Sequence, residues 1–445
     1  MNVILKNKTV RIITLGCKVN KYESDAMLLL LKESGCIEVA ENEPADISIV
    51  NTCSVTNIAD RKSRQMLHRM KKQNPGTTVV AVGCYVQAAG EQLLSDEAVD
   101  IVIGNNRKKD IVRILTDHFE NKDVKDNLID INHDNEFEKL CVSAPSGSTR
   151  AYIKIQDGCN LFCTYCIIPY VRGRIRSKSV EDVISEMNTL AENGVKEIVL
   201  TGINICSYDD NGRKFFDLLR AMKDVQGVER IRLGSLEPRV INDEFIDIIK
   251  SDSRFCPHFH LSLQSVCDET LKRMNRHYTV DDIKKAVNLL RESFDRPALT
   301  ADIIAGFVGE TEADFNTTLD NLTELKLYET HVFKYSRRKG TVADKLEGHL
   351  TEKVKEARSD KLIRIGEVNK AAYERSFNGE PVNILVEEII QKNGQSFFRG
   401  HTERYILIDV NCNDYLSSKA EGSSDLIDYN PEAYINTIIT IVKTY

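Results

Sequence analysis

The sequence contains no run of about 18 consecutive apolar residues, and its first ten residues carry no apolar signal core. A membrane-spanning helix is therefore excluded as the organising element, and the chain reads as a soluble, cytoplasmic protein with no membrane partner. A positive charge balance is also missing: 60 Lys and Arg against 67 Asp and Glu leave a net charge of −7. That excludes a uniformly basic nucleic-acid binder, so any RNA contact must come from local basic patches. Solenoid repeats and low-complexity tracts are absent too. In a reducing compartment the 12 cysteines read as metal ligands, catalysts or small buried hydrophobes rather than disulfides.

What is present is a strand-then-helix alternation that begins at once. Apolar runs at Val10–Leu15, Asp46–Val50, Thr78–Val82 and Asp100–Ile103 each precede a helical pattern. Units of this length predict an α/β fold with a doubly wound parallel sheet over residues 1–120. Three of these strands end on a cysteine: Gly16-Cys17, Asn51-Thr52-Cys53 and Gly83-Cys84. The carboxyl edge of a parallel sheet is where functional loops converge, so one shared cluster site is favoured over three unrelated buried thiols. Residues 121–148 are polar and aperiodic and read as a linker. Six further strand–helix units over 149–376 predict a partial (β/α)6 barrel. β-branched and aromatic runs over 377–445 predict a small antiparallel β-barrel.

Directly after the first central strand stands Cys159-x3-Cys163-x2-Cys166. Three close thiolates on a loop can hold three irons of a 4Fe-4S cube and leave the fourth iron open. A structural zinc site would need four ligands; His258 and His260 could add one, but their strand positions suit barrel-lining residues better. At the mouth of a partial barrel, the spacing points to an enzyme in which the open iron chelates S-adenosylmethionine and an electron cleaves it to a 5′-deoxyadenosyl radical. Strand-end groups that could seat the cofactor are Thr201, Asn204, Ser235, Glu237, Gln264 and Asp302. The alternative for each is an ordinary barrel turn, or an acid paired with a nearby arginine.

With these motifs in view, the chain resembles the radical S-adenosylmethionine methylthiotransferases along nearly its whole length. The matching motifs are Gly16-Cys17-Lys18-Val19-Asn20, Asn51-Thr52-Cys53-Ser54-Val55-Thr56, Gly83-Cys84-Tyr85, and Gly158-Cys159-Asn160 continuing through Cys163-Thr164-Tyr165-Cys166-Ile167-Ile168-Pro169. The segment around Cys17, together with Asp60–Arg64, is most similar to the tRNA N6-threonylcarbamoyladenosine branch. The resemblance implies that Cys17, Cys53 and Cys84 ligate a second, auxiliary 4Fe-4S cluster where sulfur is handled. It further implies that S-adenosylmethionine serves as methyl donor and radical source. The substrate would be position 37 in a tRNA anticodon loop, the electron donor a protein such as a flavodoxin or ferredoxin, and the C-terminal barrel a TRAM-like RNA-binding module. Val266 and Arg337 depart from the glycine and proline usual in the family, which bears on local loop geometry.

Two basic runs lie beside the cysteine motifs: Arg61, Lys62 and Arg64 after Cys53, and Arg172, Arg174 and Arg176 after Cys166. Either could be a solvated face or an RNA phosphate contact. In the more acidic C-terminal segment His401, Arg404 and Tyr405 are the candidate contacts. The remaining six cysteines match no ligand pattern and read as structural. Competing readings are methylthiolation of isopentenyladenosine tRNA or of a ribosomal protein, and a non-catalytic iron–sulfur redox or RNA-binding protein.

Overall fold

The computed structural model describes residues 3–143, 149–420 and 430–443. Four parallel strands, β1 (Thr9–Thr14), β2 (Ile47–Thr52), β3 (Thr78–Gly83) and β4 (Ile101–Ile103), form the N-terminal sheet in that order. Short strands at Ile37–Glu38 and Asp126–Asn127 extend its two edges. Every residue of β2 and β3 is buried, as expected for parallel strands covered on both faces. Helices α1 (Lys18–Glu33) and α4 (Ile111–Phe119) supply Met27, Leu31, Ile111 and Ile114 to one face. On the other face α2 (Asn57–Gln73) and α3 (Cys84–Leu94) supply Leu67, Met70, Val86 and Leu93. The doubly wound expectation holds, with all three strand-end cysteines at one edge.

The polar stretch after residue 120 is more than a tether. Asp126–Asn127 pairs with β4, and Leu140 and Val142 pack against Tyr22 and Ala26 of α1. Part of that stretch, residues 144–148, lies outside the described residues.

Six parallel strands follow: β5 (Arg150–Asp157), β6 (Glu197–Gly202), β7 (Arg230–Leu233), β8 (His258–Gln264), β9 (Ala298–Ala305) and β10 (Glu329–Lys334). Parallel bridges Ile231–Phe255 and Leu236–Leu261 join the β5–β7 half to the β8–β10 half. This is the partial barrel. Alternate residues such as Ala151, Ile153, Ile155, Ile198 and Leu200 enter one large apolar core. Their neighbours, among them Lys154, Gln156, Glu197, Arg232, His258 and His260, face the polar lumen. The helix Glu352–Arg375 closes the region over β9 and β10.

The C-terminal segment is an antiparallel four-stranded curled sheet, ordered Leu407–Asn411, Gln395–Thr402, Pro381–Lys392, Ile438–Val442. It is a half-barrel whose edge strands do not pair with one another. A helix at Cys412–Ala420 occupies part of the expected Ser417–Asp428 loop, the rest of which, residues 421–428, falls outside the described residues. Tyr405 of this sheet plugs the lower end of the central barrel. It stacks on His258 and His401 at ring separations of 5.3 and 4.3 Å and lies under the guanidinium groups of Arg150 and Arg232. Glu197 is fully buried between those two arginines. Burial pushes its carboxyl pKa up, but the arginines outweigh it and hold the value at about 2. The stability this contact contributes is full above the unfolded value of about 4.3 and is lost as pH falls toward about 2.

The open side of the barrel is closed by α1, which packs against β5 and β6. Glu23 of α1, fully buried, receives Lys154 Nζ at 2.9 Å, Arg172 Nη1 at 2.9 Å and Lys108 Nζ at 3.2 Å. Asp157 completes the group, at 3.0 Å from Lys154 and 3.1 Å from Arg172. Removing one member of such a cluster strands the others in a low-dielectric interior. Glu23→Ala is expected to lower unfolding stability by about 3–5 kcal/mol, whereas loss of the exposed Lys285–Asp281 pair should change it by less than about 1 kcal/mol. Denaturant midpoints of the two variants check the contrast.

Candidate active site

Each N-terminal cysteine stands where a strand gives way to a helix. Cys17 is the N-cap of α1, Cys84 is the first residue of α3, and Cys53 follows β2 before α2. Helix N-termini favour negative charge, which suits a thiolate. The glycines before two of them are required by geometry. Gly16 has φ +102°, and a Cβ there would come within 2.7 Å of the Cys53 Cβ; Gly83 has φ +98°, and a Cβ would meet Asn51 Oδ1 at 2.6 Å. The three thiols lie close enough to act on one another electrostatically. Burial pushes the Cys53 thiol up to about 11 and raises that of Cys17.

The second cysteine set lies on a loop pinned at several points. Gly158, at φ +70°, lets Cys159 N–H reach the Gly173 carbonyl at 3.1 Å; a Cβ would sit 1.9 Å from the Arg174 oxygen. Thr164 N–H donates to the Met274 carbonyl, and its own carbonyl accepts from Ala343. Burial pushes Cys166 up to about 12 and raises Cys159, the neighbouring thiols adding to both.

Each set also has an arginine directed at one sulfur. Arg172 Nε lies 3.1 Å from Cys84 Sγ, and Arg276 Nη1 lies 3.3 Å from Cys163 Sγ. Each guanidinium N–H can donate to the sulfur it faces. Two sets of three soft donors, each set clustered and positively supported, fit iron–sulfur cubes better than a single ion. No group of three or more candidate ligands among the described residues converges on one ion position. In a cube each iron takes its own thiolate, so the sulfurs are set apart.

One cavity of about 540 Å³ joins the two sets, a size typical of small-molecule sites. Cys17 and Cys53 line it from one side and Cys159, Cys163 and Cys166 from the other. Cys84 lies behind this wall, buried against Arg172 and Asn105. Of the six strand-end groups named from the sequence, Asn204, Glu237, Gln264 and Asp302 line the cavity, whereas Thr201 and Ser235 do not. Asn204 Nδ2 donates to Glu237 Oε1 at 2.7 Å, and Asp302 lies 3.4 Å from His260 Nε2. Gln264 sits at φ +60°, on a bulge of β8. His258 and His260 are lumen residues, His260 bonded to Thr300 at 2.9 Å.

Several lining residues were not singled out from the sequence, namely Ser262, Arg276, Lys334 and Tyr335. Arg276 comes from the turn after the helix Asp268–Arg273, where neither periodicity nor motif marks it. Lys18, next to Cys17, is exposed and does not line the cavity.

The basic runs divide. Arg61, Lys62 and Arg64 are exposed on α2 and make no ion pair among the described residues. The acid beside them on α2, Asp60, is taken by Arg338, which also donates to Ser54 and Asn57 at 2.8 Å. The second run is corrected by the structure. Arg172 and Arg176 are buried, Arg172 committed to Glu23, Asp157 and Cys84, and Arg176 packed towards Asp134 at 3.9 Å. Neither can reach a phosphate. Arg174 keeps partial exposure and stacks over Phe162 at 4.7 Å.

The C-terminal candidates are corrected as well. Arg404 donates to the Arg296 and Asp295 carbonyls and pairs with Glu403; His401 bonds Glu387 at 2.7 Å; Tyr405 is the barrel plug. Lys392 and Arg399 are both spent on Asp409. Arg404 and Tyr405 are held at the junction with the central barrel, whereas His401, Lys392 and Arg399 each find a carboxylate within their own sheet.

Cys36, Cys256, Cys267 and Cys412 are buried and Cys141 is exposed; Cys206 accepts the Glu237 N–H at 3.3 Å behind the cavity wall. Val266 is fully buried without positive φ, so nothing there requires glycine. Arg337 is held by Asp344 at 2.6 Å.

Known proteins resemble the chain over both cysteine-bearing regions. The family model described as the Radical SAM superfamily matches residues 153–322, and that described as Uncharacterized protein family UPF0004 matches residues 9–104. The threonylcarbamoyladenosine tRNA methylthiotransferase MtaB of Bacillus subtilis (strain 168) is 37% identical over 404 residues, 90% of each chain. A tRNA-2-methylthio-N(6)-dimethylallyladenosine synthase from Thermodesulfovibrio yellowstonii is 35% identical over 91% of this chain and 93% of its own. In fold, the chain is similar to the radical S-adenosylmethionine methyltransferase TsrM from Kitasatospora setae, with TM-score 0.55 at 15% identity, over 76% of this chain and 77% of that one. Identity of this level across nearly the full length, on a fold carrying both cysteine sets, shows that the chain belongs to the radical S-adenosylmethionine methylthiotransferase family.

Proposed function

We propose that this protein methylthiolates N6-threonylcarbamoyladenosine at position 37 of the tRNA anticodon loop, giving 2-methylthio-N6-threonylcarbamoyladenosine. The observation that carries the reading is the single cavity onto which both cysteine sets open, for it lets two different chemistries act on one base. Cys159, Cys163 and Cys166 would hold one 4Fe-4S cluster beside S-adenosylmethionine, and Cys17, Cys53 and Cys84 a second. Bound there, these groups supply radical and methyl chemistry and a station for sulfur, with electrons drawn from a donor such as a flavodoxin or ferredoxin.

The chain's own residues bind and orient. Asn204, Glu237, Gln264 and Asp302 offer polar atoms to the amino, carboxylate and ribose groups of the cofactor. Ile203, Ile304, Phe333 and Tyr335 give apolar wall against which adenine rings can pack and from which water is displaced. A base in a single-stranded loop can be turned out of its stack at low cost. Helix α2 starts at the cavity rim, where Val55, Thr56 and Ala59 line the opening, so Arg61, Lys62 and Arg64 stand ready for the flanking phosphates.

Iron is expected to approach eight per chain after anaerobic reconstitution, at about four per cube. Substituting Cys159, Cys163 and Cys166 by alanine should remove about half of it and abolish reductive cleavage of S-adenosylmethionine; complete loss of iron would overturn independent sites. The alanine triple variant at Cys17, Cys53 and Cys84 should still cleave S-adenosylmethionine but form no methylthio product.

Charge reversal at Arg61 and Arg64 should weaken tRNA binding and flatten its salt dependence, by a log–log slope of about 0.7 for each single-strand phosphate that is no longer neutralised. Iron content should not change. The substrate itself is tested by giving the purified enzyme threonylcarbamoyladenosine and isopentenyladenosine tRNAs under reducing, anaerobic conditions. Mass spectrometry of the nucleosides should show the methylthio group on the former; preference for the latter would overturn the choice of base.

A further inference from the structure

We infer that the outer face of α2 beyond the cavity rim, carrying Arg64, Arg69 and Lys72, is a docking surface for the double-helical anticodon stem. This rests on the proposed function, whose flanking-phosphate contacts end at Arg64, and adds to it a second part of the RNA.

Helix α2 runs from the cavity to the far edge of the N-terminal sheet. Ala59, in its first turn, lines the cavity. At the other end Lys71 Nζ bonds the Thr77 carbonyl at 3.0 Å, beside the amino end of β3. The helix therefore leads back along the sheet, away from the cysteines. Ser63, Leu67 and Met70 are buried on its inner side, which leaves the opposite side to solvent. Residues 61, 64, 65, 68 and 72 follow the helical repeat along that outer side, with Lys62 and Arg69 at its margin.

Arg61, Lys62, Arg64, Arg69 and Lys72 are all exposed, and none makes a hydrogen bond or ion pair to a described residue. Asp60, the one acid of the helix, belongs to Arg338. The neighbouring acids are taken as well: Asp96 holds His68 at 2.8 Å, and Asp100 holds Lys71 at 2.8 Å. A groove of about 430 Å³ follows the outer half of the helix, lined by Arg64, Gln65, His68, Arg69 and Lys72. In a chain of net charge −7, such a run of free cations is the footprint that a phosphate backbone needs. The C-terminal domain offers no equal of it among the described residues. There Lys392 and Arg399 are spent on Asp409, and Lys443 on Asn378.

The length of the helix selects the stem. From Arg61 to Lys72 it rises about 16 Å, at about 1.5 Å per residue. A stacked strand advances roughly 3 Å per nucleotide, so that rise covers about five nucleotides. Position 37 lies on the 3′ side of the anticodon loop, close to the first base pair of the stem. With its base in the cavity and the next phosphates at Arg61 and Arg64, the strand is already paired where it meets Arg69 and Lys72. Double-helical RNA is held through its backbone and shape rather than its base edges, which a ladder of exposed cations suits. An acidic electron-donor protein would also be drawn to free cations. It must approach a cluster, however, and Arg69 and Lys72 lie at the end of α2 that leads away from both.

The test uses the full chain, anaerobically reconstituted, and fluorescence anisotropy with two labelled RNAs: an anticodon stem-loop bearing threonylcarbamoyladenosine, and the same loop nucleotides without the stem. The unsubstituted protein should bind the stem-loop more tightly. Arg69→Gln combined with Lys72→Gln should weaken the stem-loop on the order of tenfold and flatten its log–log salt slope by about 0.9 for each duplex phosphate released. Affinity for the loop alone and iron content should not change. Lys392→Gln combined with Arg399→Gln should leave both affinities as they are. Equal weakening on the two RNAs would place the contact in the loop. Equal affinity of the unsubstituted protein for both, or no effect of the α2 variant, would mean no stem contact; each of these results overturns the assignment. So does an α2 variant whose only defect is slow turnover with flavodoxin, restored by dithionite, because the surface would then serve the electron donor. If the double variant loses iron, Lys72→Gln alone is read in its place, with one phosphate's change in slope. If stem binding behaves as stated but the enzyme forms no methylthio product on the tRNA, the docking surface stands and the proposed function falls.

Discussion

The cavity exists because Glu23 is charged and buried. This carboxylate on α1 draws Lys154 and Arg172 from the central barrel and Lys108 from its own domain into one hydrogen-bonded cluster, with Asp157 balancing the excess positive charge. Burial alone would push the Glu23 carboxyl up, but the three cations hold it well below the usual carboxylate range. Left unpaired, any of these groups would carry a desolvation penalty of several kcal/mol. The domains are therefore held in one relation, which sets the carboxyl edge of the N-terminal sheet over the mouth of the barrel.

The same cluster reaches the chemistry. Arg172 has one nitrogen on Glu23 and another 3.1 Å from Cys84 Sγ, and a third donates to Asn20 Oδ1 at 2.8 Å. Asn20 in turn bonds the Leu15 and Thr52 carbonyls at 2.7 and 2.9 Å, beside Cys17 and Cys53. One guanidinium thus couples the domain junction to all three N-terminal cysteines. Hydrogen bonds to cluster-ligating sulfurs raise reduction potentials, so with the proposed clusters bound Arg172 and Arg276 would influence the electronics as well as the geometry.

At the far end of the barrel the C-terminal sheet serves the same rigidity. Tyr405, stacked between His258 and His401 over Arg150 and Arg232, closes the lumen, and Arg230 and Arg232 donate to carbonyls of residues 383, 401, 402 and 403. The cations of this sheet are neutralised internally. Among the described residues, the exposed run of unpaired positive charge lies on α2, at the opposite end of the lumen and next to the cysteines.

Residue pattern alone was enough to specify the fold and both cysteine sets. Parallel strands buried on two faces read as continuous apolar runs, and glycine before cysteine at three strand ends or loop starts marks backbone that only glycine can adopt. Short spacing made Cys159, Cys163 and Cys166 legible without a structure, and the exposed run on α2 was legible from helical periodicity. The fate of the other charges was not legible in this way. Arg172 and Arg176 look like a surface patch in sequence, yet become buried because their acidic partners, Glu23 and Asp134, lie far away along the chain. Arg276 reaches the cavity from a turn that carries no periodic signal. Local pattern specifies which segments are buried; which charge finds a partner depends on contacts between distant segments, and that long-range pairing settled which cations remained for a substrate.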